Sequence, residues 1–357
     1  MNILIIRSKT GGVGFYYDVL KKHFQSNVKH IYVGKRKTDE TPFHQLIRLV
    51  KDYIHFTREI IYGKYDLIHI NPSLRSKSLM REGVYLLIAK LSRKKTVVFF
   101  RGWDETLENR IKNRYAKIFR FIYFPADAII VLASRFKNFL EEMGYKNPIY
   151  LETTLVSDEI LKLKNNHNYS KEDQSIINIL FLSRVEKYKG VYEAINAYRL
   201  LKKKYPSLTM TLAGDGSELN AANKYIKSNN IPDIEIPGWV EGEKKNLVYK
   251  KAAMYLLPTY GEGMPNSLLE AMAYGLPVIT TPVGGIKDFF QNGKMGYLTE
   301  SIEPKDLAEL CEILIKDSKK RSDIGKFNRY YAIKHFIASN VCKRLEAIYH
   351  ETVGKNA

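Results

Sequence analysis

Two carboxylates, Glu262 and Glu270, lie eight positions apart where a glycine- and proline-rich stretch, residues 258–265, leads into an apolar segment. Glu270 is enclosed by the apolar run at residues 268–273, and a carboxylate in such surroundings needs hydrogen-bond donors because unpaired burial is costly. Adjacent hydroxyls of a sugar supply two such donors. The pattern therefore indicates recognition of a sugar, unless Glu270 lies on the solvent-facing side of a helix.

The start of that helix is marked by Asn266 and Ser267, both of which are good capping residues, and its end by Gly275. The first turn of a helix carries free N–H groups, and its dipole attracts negative charge. An anionic group is therefore the second kind of ligand that this segment predicts.

Two cations, Arg184 and Lys189, follow the apolar residues 176–182 and precede Gly190. Both lie in the loop that follows one predicted strand and leads into a helix, so their side chains can converge on one ligand. A guanidinium fork beside an ammonium point charge suits a diphosphate. The alternative is a basic loop exposed to solvent.

Glycine-rich turns follow other predicted strands. Residues 11–14, Gly-Gly-Val-Gly, follow the first strand, where glycines let backbone N–H groups approach a phosphate at a helix N-terminus. The segment is not the dinucleotide fingerprint G-x-G-x-x-G, because position 17 is Tyr, and its alternative is a plain strand-to-helix turn. Similar turns recur at residues 214–216 and 282–285.

Short apolar runs alternate with longer helical patterns along the chain. The predicted strands are residues 2–6, 27–33, 67–70, 96–100, 128–131, 176–182, 209–213, 234–236, 254–257, 278–280 and 296–298. Continuous apolar strands separated by helices indicate parallel sheets covered on both faces. Such sheets bind ligands beyond the carboxyl ends of their strands. We therefore expect two doubly wound α/β domains that face a cleft, divided by the polar stretch at residues 163–174.

The composition is that of a globular protein, with 45% hydrophobic and 12% aromatic residues in 357 positions. The only cysteines, Cys311 and Cys342, exclude a disulfide scaffold and favour a reducing compartment. The N-terminal residues lack the pattern of a signal peptide, and no apolar run approaches the roughly 18 residues that a transmembrane helix needs. We therefore expect a cytoplasmic protein.

The formal net charge of +19 is unevenly distributed. Residues 1–165 carry 30 Lys and Arg against 16 Asp and Glu, a net charge of +14, whereas residues 166–357 carry 27 against 22, a net charge of +5. The first half is therefore predicted to face an anionic partner, such as a nucleic acid, a phosphorylated substrate or an acidic membrane surface.

A basic amphipathic helix is predicted at residues 110–123. At helical spacing, one face would carry Ile111, Tyr115, Ile118, Phe119 and Ile122. The helix either docks on anionic lipid or packs on its own sheet with its cations in solvent.

The motifs taken together resemble the GT-B glycosyltransferases of family 4, a large group of retaining sugar transferases. The resemblance is carried by S-R-V-E-K-Y-K-G, A-G-D-G, P-G-W-V, E-G-M-P-N-S-L-L-E and T-P-V-G-G, in the family's order across residues 178–300. It implies a GT-B fold with two Rossmann-like domains. The acceptor would bind to residues 1–165 and the nucleotide-sugar to residues 166–335, while a C-terminal helix at 336–357 packs back toward the first domain.

The resemblance also implies roles for individual residues, with UDP as the favoured nucleotide. Arg184 and Lys189 would hold the diphosphate, Glu262 would contact the sugar as the third catalytic residue, and Glu270 would bind the ribose hydroxyls. Gly214, Trp239 and Val240 would line the base pocket. The other donor-binding residues would be Gly12, Gly14, Gly263, Met264, Pro265, Asn266 and Ser267. The donor's own phosphate oxygen would help to deprotonate the acceptor. Because no Asp-x-Asp motif occurs, no metal or other cofactor is expected.

The chain departs from the family at one position. Many relatives have a His-Gly pair after the fourth strand of the first domain, where this chain has Arg101 followed by Gly102. Arg101 would then bind a phosphate of the acceptor or donor and Asp104 would orient an acceptor hydroxyl, unless Arg101 merely pairs with Asp104 or Glu105. His69 is the third acceptor-side candidate, although a lone histidine is more often structural.

The favoured function is a retaining, metal-independent glycosyltransferase that moves a sugar to a hydroxyl of a lipid-linked or cell-surface polysaccharide or lipopolysaccharide precursor. It would act peripherally at the cytoplasmic face of the inner membrane. The alternatives are a transferase with a soluble acceptor and a nucleotide-sugar epimerase. A nucleic-acid-binding protein would explain the charge, but the sequence shows no zinc finger, helix-turn-helix pattern or RNP-like strand, so no nucleic-acid partner is expected.

Overall fold

The computed structural model describes residues 1–9, 11–34, 41–162 and 177–354. The chain forms two compact units, one made of Met1–Thr154 with Ala338–Ala357 and the other of Leu155–Ile337. The sequence predicts these boundaries at residues 165 and 335 instead. The predicted linker at residues 163–174 lies outside the described residues.

The first unit is built on one parallel sheet. Its strands are β1 (Asn2–Ser8), β2 (Asn27–Val33), β3 (Leu67–Ile70), β4 (Lys95–Phe99), β5 (Ala128–Val131) and β6 (Ile149–Leu151), in the order β2-β1-β3-β4-β5-β6. Its helices are α1 (Gly11–Leu20), α2 (Pro42–Tyr62), α3 (Ser76–Leu91), α4 (Glu105–Arg110), α5 (Ala116–Tyr123) and α6 (Ser134–Glu142), followed by the C-terminal helix (Ala338–Gly354).

The C-terminal helix packs on the first unit, against α1 and β4. Glu346 accepts a hydrogen bond from the backbone N–H of Ser26 at 2.8 Å, and Arg344 forms a bidentate pair with Glu152 at 2.5 and 3.0 Å. Apolar burial and these polar contacts together hold the last helix of the chain on the first sheet.

The second unit is built on another parallel sheet. Its strands are β7 (Asn178–Leu182), β8 (Thr209–Ala213), β9 (Ile234–Gly238), β10 (Met254–Leu257), β11 (Val278–Thr280) and β12 (Gly296–Leu298), in the order β12-β11-β10-β7-β8-β9. Its helices are α7 (Val191–Lys204), α8 (Leu219–Ser228), α9 (Gly242–Lys251), α10 (Asn266–Ala273), α11 (Ile286–Phe289), α12 (Pro304–Lys316) and α13 (Ser318–Phe336). Across both units, no helix in the described ranges is long and apolar enough to cross a membrane.

The two doubly wound parallel sheets confirm the α/β fold predicted from the sequence. Residues 27–33, 67–70 and 209–213 form strands with the predicted bounds. The last two are short, mainly apolar runs between polar turns. The prediction lacks β6. This strand has three residues, lies at the sheet edge and is partly exposed, so it has no continuous apolar run.

The amphipathic helix predicted at residues 110–123 is interrupted. A π-helical turn, Ile111–Tyr115, joins α4 to α5. Because a π turn contains an extra residue, it rotates the helix face that follows it relative to the face before it. The predicted apolar face is therefore wrong in part: Ile111 and Phe119 are buried, whereas Tyr115 and Ile118 are 40% and 60% exposed.

Candidate active site

The carboxyl ends of β7 and β10 are neighbours in the second sheet, and the strand order reverses between them. The chain continues from β7 to β8 on one side and from β10 to β11 on the other. Such a reversal is where open α/β sheets bind ligands. The loops that follow the two strands, residues 183–190 and 258–265, hold most of the predicted donor-binding side chains.

Backbone hydrogen bonds join the loops at this edge to one another. The N–H of Tyr260 donates to the carbonyl of Tyr188 at 2.9 Å, and the N–H of Gly285 donates to the carbonyl of Gly263 at 2.7 Å. The N–H of Val185 donates to the loop after β8 at 3.0 Å. The loops after β7, β8, β10 and β11 are thus connected, which holds their side chains at fixed spacings.

Two glycines are required by this close packing of loops. Gly190 has a φ of 73°, and a Cβ there would overlap the carbonyl oxygen of Pro258. Gly214 has a φ of 133°, and a Cβ there would overlap the carbonyl oxygen of Ser183. Any other residue would strain the backbone and push the loops apart, so Gly214 has a structural reason besides its predicted place in the base pocket.

Lys189 and Glu262 form a buried ion pair at the switch point. Lys189 ends the 3₁₀ turn Lys187–Lys189 and is 6% exposed, and its ammonium binds the Glu262 carboxylate from the loop after β10. The Lys189 ammonium also lies 4.9 Å from the ring centre of Tyr188. Two residues that the sequence assigns to phosphate and to sugar are thus in direct contact.

Arg184, the other predicted phosphate ligand, is exposed. Its guanidinium carbon lies 5.5 Å from the ring centre of Tyr188, and its Nη2 donates to the Tyr188 hydroxyl. Tyr188 therefore contacts both predicted phosphate-binding cations. Sequence reasoning missed it, although its position next to Lys189 in the same motif is a usable signal.

Glu270 lies in α10 and is 7% exposed. Its oxygens accept hydrogen bonds from the Lys245 ammonium at 2.7 Å and from the Tyr249 hydroxyl at 2.9 Å. Burial, followed by the charge of Glu270, raises the pKa of Tyr249 well above its usual value, so Tyr249 remains a neutral donor. Each carboxylate oxygen has two acceptor positions, which leaves room for further donors such as ribose hydroxyls.

Lys245 and Tyr249 are two further residues that sequence reasoning missed. Both lie in α9, four positions apart, so they face the same side of that helix. A lysine and a tyrosine at this spacing are an ordinary surface pattern. Only the packing of α9 beside α10 identifies them as partners of Glu270.

The first turn of α10 has no side-chain cap. Pro265 occupies the N-cap position and Asn266 is the first helical residue, so the cap predicted at Asn266 or Ser267 is wrong. Ser267 instead lies 2.7 Å from a tyrosine hydroxyl of β10, and Met264 packs partly buried against the core. The N–H groups of this turn are suited to an anionic ligand.

The loop after β9 holds Trp239 and Val240, which are predicted to line a base pocket. Trp239 is 67% exposed and its Nε1 donates to Glu241 at 3.3 Å, whereas Val240 is 7% exposed. β9 is the edge strand, two positions from β7. The structure therefore offers an indole face at this edge, while Val240 belongs to the interior.

Gly12 and Gly14 lie in the first turn of α1, directly beyond β1. Gly14 is buried, and a Cβ there would overlap the carbonyl oxygen of Lys9. In the first sheet the strand order reverses between β1 and β3, so this glycine turn lies at the switch point of the first unit. Its backbone N–H groups suit an anion.

Arg101 follows β4 and lies on two aromatic rings. Its guanidinium carbon is 3.8 Å from the ring centre of Tyr16 and 4.4 Å from that of Phe99. Its Nε and Nη1 atoms are buried and have no hydrogen-bond partner among the residues that the structure describes. Because a desolvated cation with unpaired donors favours an anion, this side chain suits a phosphate or carboxylate.

Asp104 and Glu105 do not pair with Arg101. The Asp104 carboxylate accepts the N–H of Leu107 at 3.1 Å and caps α4. Glu105 pairs with Arg135 at 3.0 Å. The hydroxyl-orienting role predicted for Asp104 would therefore have to share its carboxylate with a helix cap.

His69, the third acceptor-side candidate, lies in the core of the first unit, in the surroundings of a structural residue. It is fully buried in β3, where Nε2 lies 2.8 Å from the hydroxyl of Tyr17 and Nδ1 lies 2.8 Å from that of Tyr349 in the C-terminal helix. The Tyr17 hydroxyl donates to Asn71 at 2.8 Å, so it accepts from Nε2, and Nδ1 accepts from Tyr349. Burial lowers the pKa of His69 to about 3 and keeps the ring neutral.

We expect the burial of His69 to make the protein less stable in mild acid. Because the folded-state pKa of His69 lies below its ordinary value of 6.5, the unfolded chain binds more protons as the pH falls below 6.5. The contribution of His69 to the free energy of unfolding should fall by about 2 kcal/mol between about pH 7.5 and pH 5. Urea unfolding at the two pH values measures it. The His69→Gln variant should show a pH dependence smaller by that amount, and an unchanged pH dependence would contradict the assignment.

The two cysteines are free and buried. Burial raises the pKa of both Cys311 and Cys342 to about 12, so both remain thiols and neither is a nucleophile. Within the described ranges, no three His, Cys, Asp or Glu side chains are grouped as they would be in a metal site.

The second unit resembles a known protein family. Residues 164–330, slightly less than half of the chain, match the family described as glycosyl transferases group 1. The capsular polysaccharide biosynthesis glycosyltransferase CapM of Staphylococcus aureus is 27% identical over 209 residues, which cover 58% of this chain and 53% of CapM. The match thus spans about half the length of that relative.

Two further comparisons extend over more of the chain. N-acetyl-alpha-D-glucosaminyl L-malate synthase of Bacillus anthracis is 24% identical over 304 residues, 83% of this chain and 75% of the synthase. The structure of HepE from Anabaena in complex with UDP and glucose matches with a TM-score of 0.71 at 17% identity, covering 98% of this chain and 99% of HepE. This likeness shows the fold, and the predicted two-domain, Rossmann-like GT-B fold is confirmed.

Proposed function

We propose that this chain, whose residues 164–330 match the group 1 glycosyl transferases, transfers a sugar from a UDP-sugar to an acceptor hydroxyl. The observation that carries the proposal is the arrangement at the switch point of the second sheet. Two adjacent strands, β7 and β10, lead into the segments that carry three features. These are the Lys189–Glu262 pair, the uncapped first turn of α10 and the buried Glu270 carboxylate. Cation, backbone donors and carboxylate match the diphosphate and hydroxyls of a sugar nucleotide.

The donor would bind to the second unit through these groups. Lys189 and Arg184 hold the diphosphate. The N–H groups of Gly263, Met264 and Asn266 meet the remaining phosphate or sugar oxygens. Glu270, held by Lys245 and Tyr249, accepts hydrogen bonds from the two ribose hydroxyls. HepE was solved with UDP and glucose on the same fold, which supports UDP as the nucleotide.

We assign the reaction to family 4 and to retention of anomeric configuration, because the motif order matches that group. Charge that develops on the departing diphosphate is neutralised by Lys189, Arg184 and backbone donors, which would do this without a metal. Glu262 contacts the sugar and orients Lys189. A phosphate oxygen of the donor takes the proton of the acceptor hydroxyl.

The acceptor would bind to the first unit. Arg101, with two unpaired and buried guanidinium nitrogens, is the residue we expect to bind an anionic group of the acceptor. CapM acts in capsular polysaccharide biosynthesis, which supports a lipid-linked or cell-surface saccharide precursor as the acceptor. The net charge of +14 in residues 1–165 supports a position on the cytoplasmic face of an anionic membrane.

A second candidate is a transferase with a small soluble acceptor. N-acetyl-alpha-D-glucosaminyl L-malate synthase supports it, since malate is a small anionic acid. Arg101 would then hold a carboxylate. The absence or presence of membrane binding separates the two candidates. An epimerase on the same fold would convert the sugar nucleotide without any acceptor.

A ligand screen tests the donor assignment. The full chain is heated with UDP, UDP-glucose, UDP-N-acetylglucosamine, GDP and GDP-mannose, each with EDTA or with magnesium. We expect a UDP compound to stabilise the protein by about 2.7 kcal/mol at 100 times its dissociation constant, with EDTA making no difference. Stabilisation by none of the five compounds would refute the donor assignment. Stabilisation only with magnesium would refute metal independence.

A further inference from the structure

Helix α2 exposes a continuous apolar stripe. The stripe consists of Phe43, Leu46, Ile47, Val50, Ile54 and Ile61, which are 68%, 58%, 37%, 48%, 49% and 65% exposed. Counted from Phe43, the other five follow after 3, 4, 7, 11 and 18 residues, which places all six on one side of a helix with 3.6 residues per turn. Large apolar side chains repeated over five turns of one helix are unusual on a protein surface that meets only water.

The stripe is not the side of α2 that packs on the first unit. The buried residues of the helix are Asp52, Phe56 and Ile60, which fall on the opposite side of the helical wheel. α2 contacts α3 through its packed side. The helix therefore has an inner face that anchors it and an outer apolar face that nothing in the chain covers within the described residues.

The charges around the stripe have one sign. Lys51 and Arg58 are exposed and lie beside the stripe on the helical wheel, at about 60–80° from its centre. The two acidic residues of α2 are both engaged elsewhere, since Asp52 is buried and bonded to Arg48 at 3.0 Å, and Glu59 binds Lys29 at 2.7 Å. An apolar stripe with cations along one edge is complementary to a surface that is apolar inside and anionic at its boundary.

We propose that α2 is the surface by which the first unit lies on an anionic lipid bilayer. The stripe would lie at the boundary between lipid headgroups and acyl chains, with Lys51 and Arg58 against lipid phosphates. A second copy of the chain fits less well, because pairing two stripes would bring the same cations together. Docking through α2 would bring the enzyme to a lipid-linked acceptor. This benefit rests on the proposed function, whereas the docking itself does not.

The test is flotation of the full chain with vesicles of phosphatidylcholine alone and with 30% phosphatidylglycerol. We expect wild type to bind the anionic vesicles and the Leu46→Ser/Val50→Ser/Ile54→Ser variant to bind them at least tenfold less. The Lys51→Glu/Arg58→Glu variant should lose the preference for anionic vesicles. A matched charge control is Lys224→Glu/Lys227→Glu on the exposed side of α8, which should bind as wild type does.

Other outcomes would overturn the proposal. Undiminished flotation of the serine variant would do so. So would loss of flotation only in Ile118→Ser/Phe121→Ser, which removes exposed apolar residues of α5. A wild-type dimer that becomes monomeric in the serine variant, measured by light scattering, would assign the stripe to a second copy. Stabilisation by UDP is measured on every variant, so failure of the donor assignment is seen separately from failure of docking.

Discussion

The Lys189→Met variant is expected to lower kcat roughly 100- to 1000-fold, because it removes a fixed positive charge from the place proposed for the departing diphosphate. Lys189 is 6% exposed, so its charge acts in a poorly solvated site where electrostatic interactions are strong. Methionine keeps most of the aliphatic stem, which limits loss of packing. Turnover of the UDP-sugar identified in the ligand screen measures the effect.

A matched control lies two positions away. Lys187 belongs to the same 3₁₀ turn but is exposed, so Lys187→Met should change kcat less than threefold. Stability of the Lys189 variant needs separate measurement, since Glu262 loses its buried partner. If Lys189→Met folds and turns over within threefold of wild type, the diphosphate lies elsewhere.

The Glu270→Gln variant is expected to weaken UDP binding by about 10- to 100-fold, since each hydrogen bond to a charged group contributes about 1.5–3 kcal/mol. The effect should depend on the ribose hydroxyls. A 2′,3′-dideoxy analogue of UDP should therefore bind wild type and variant with equal affinity. Calorimetry with both nucleotides gives the four dissociation constants.

The Lys245→Met variant distinguishes ribose binding from a purely structural role of Glu270. Lys245 orients the carboxylate at 2.7 Å without being assigned a contact with the nucleotide. If Glu270 only satisfies Lys245, both variants should lose stability alike and both should bind UDP as wild type does. If Glu270 binds the ribose, its variant should lose far more affinity than Lys245→Met does.

Much of the fold follows from local patterns in the sequence. Strands such as 67–70 and 128–131 are apolar runs bounded by polar turns, and both are buried on each face of the first sheet. Gly190 and Gly214 mark loops whose backbones approach closely, which only glycine allows. Both features depend on residues close together in the chain, so they can be recognised without any tertiary structure.

Register and side-chain partners are less local. The π turn at Ile111–Tyr115 shifts the face of α5 and exposes Ile118, and no residue type announces such a turn. The exposure of the apolar stripe on α2 could not be predicted from the sequence for a related reason. An amphipathic helix shows that one face is apolar, but the sequence does not show whether that face is inside.

Residue types and their spacing indicate the class of chemistry. The cations after β7, the glycine turns and the two carboxylates around α10 point to a sugar nucleotide, because residue type and spacing define what a loop can bind. Which of these groups contact one another follows only from the folded chain. Lys189 meets Glu262 across 73 positions, Glu270 meets Lys245 across 25, and Tyr349 closes over His69 across 280. These contacts arise from strand order and helix packing, which bring together residues whose separation along the chain carries no signal of their contact.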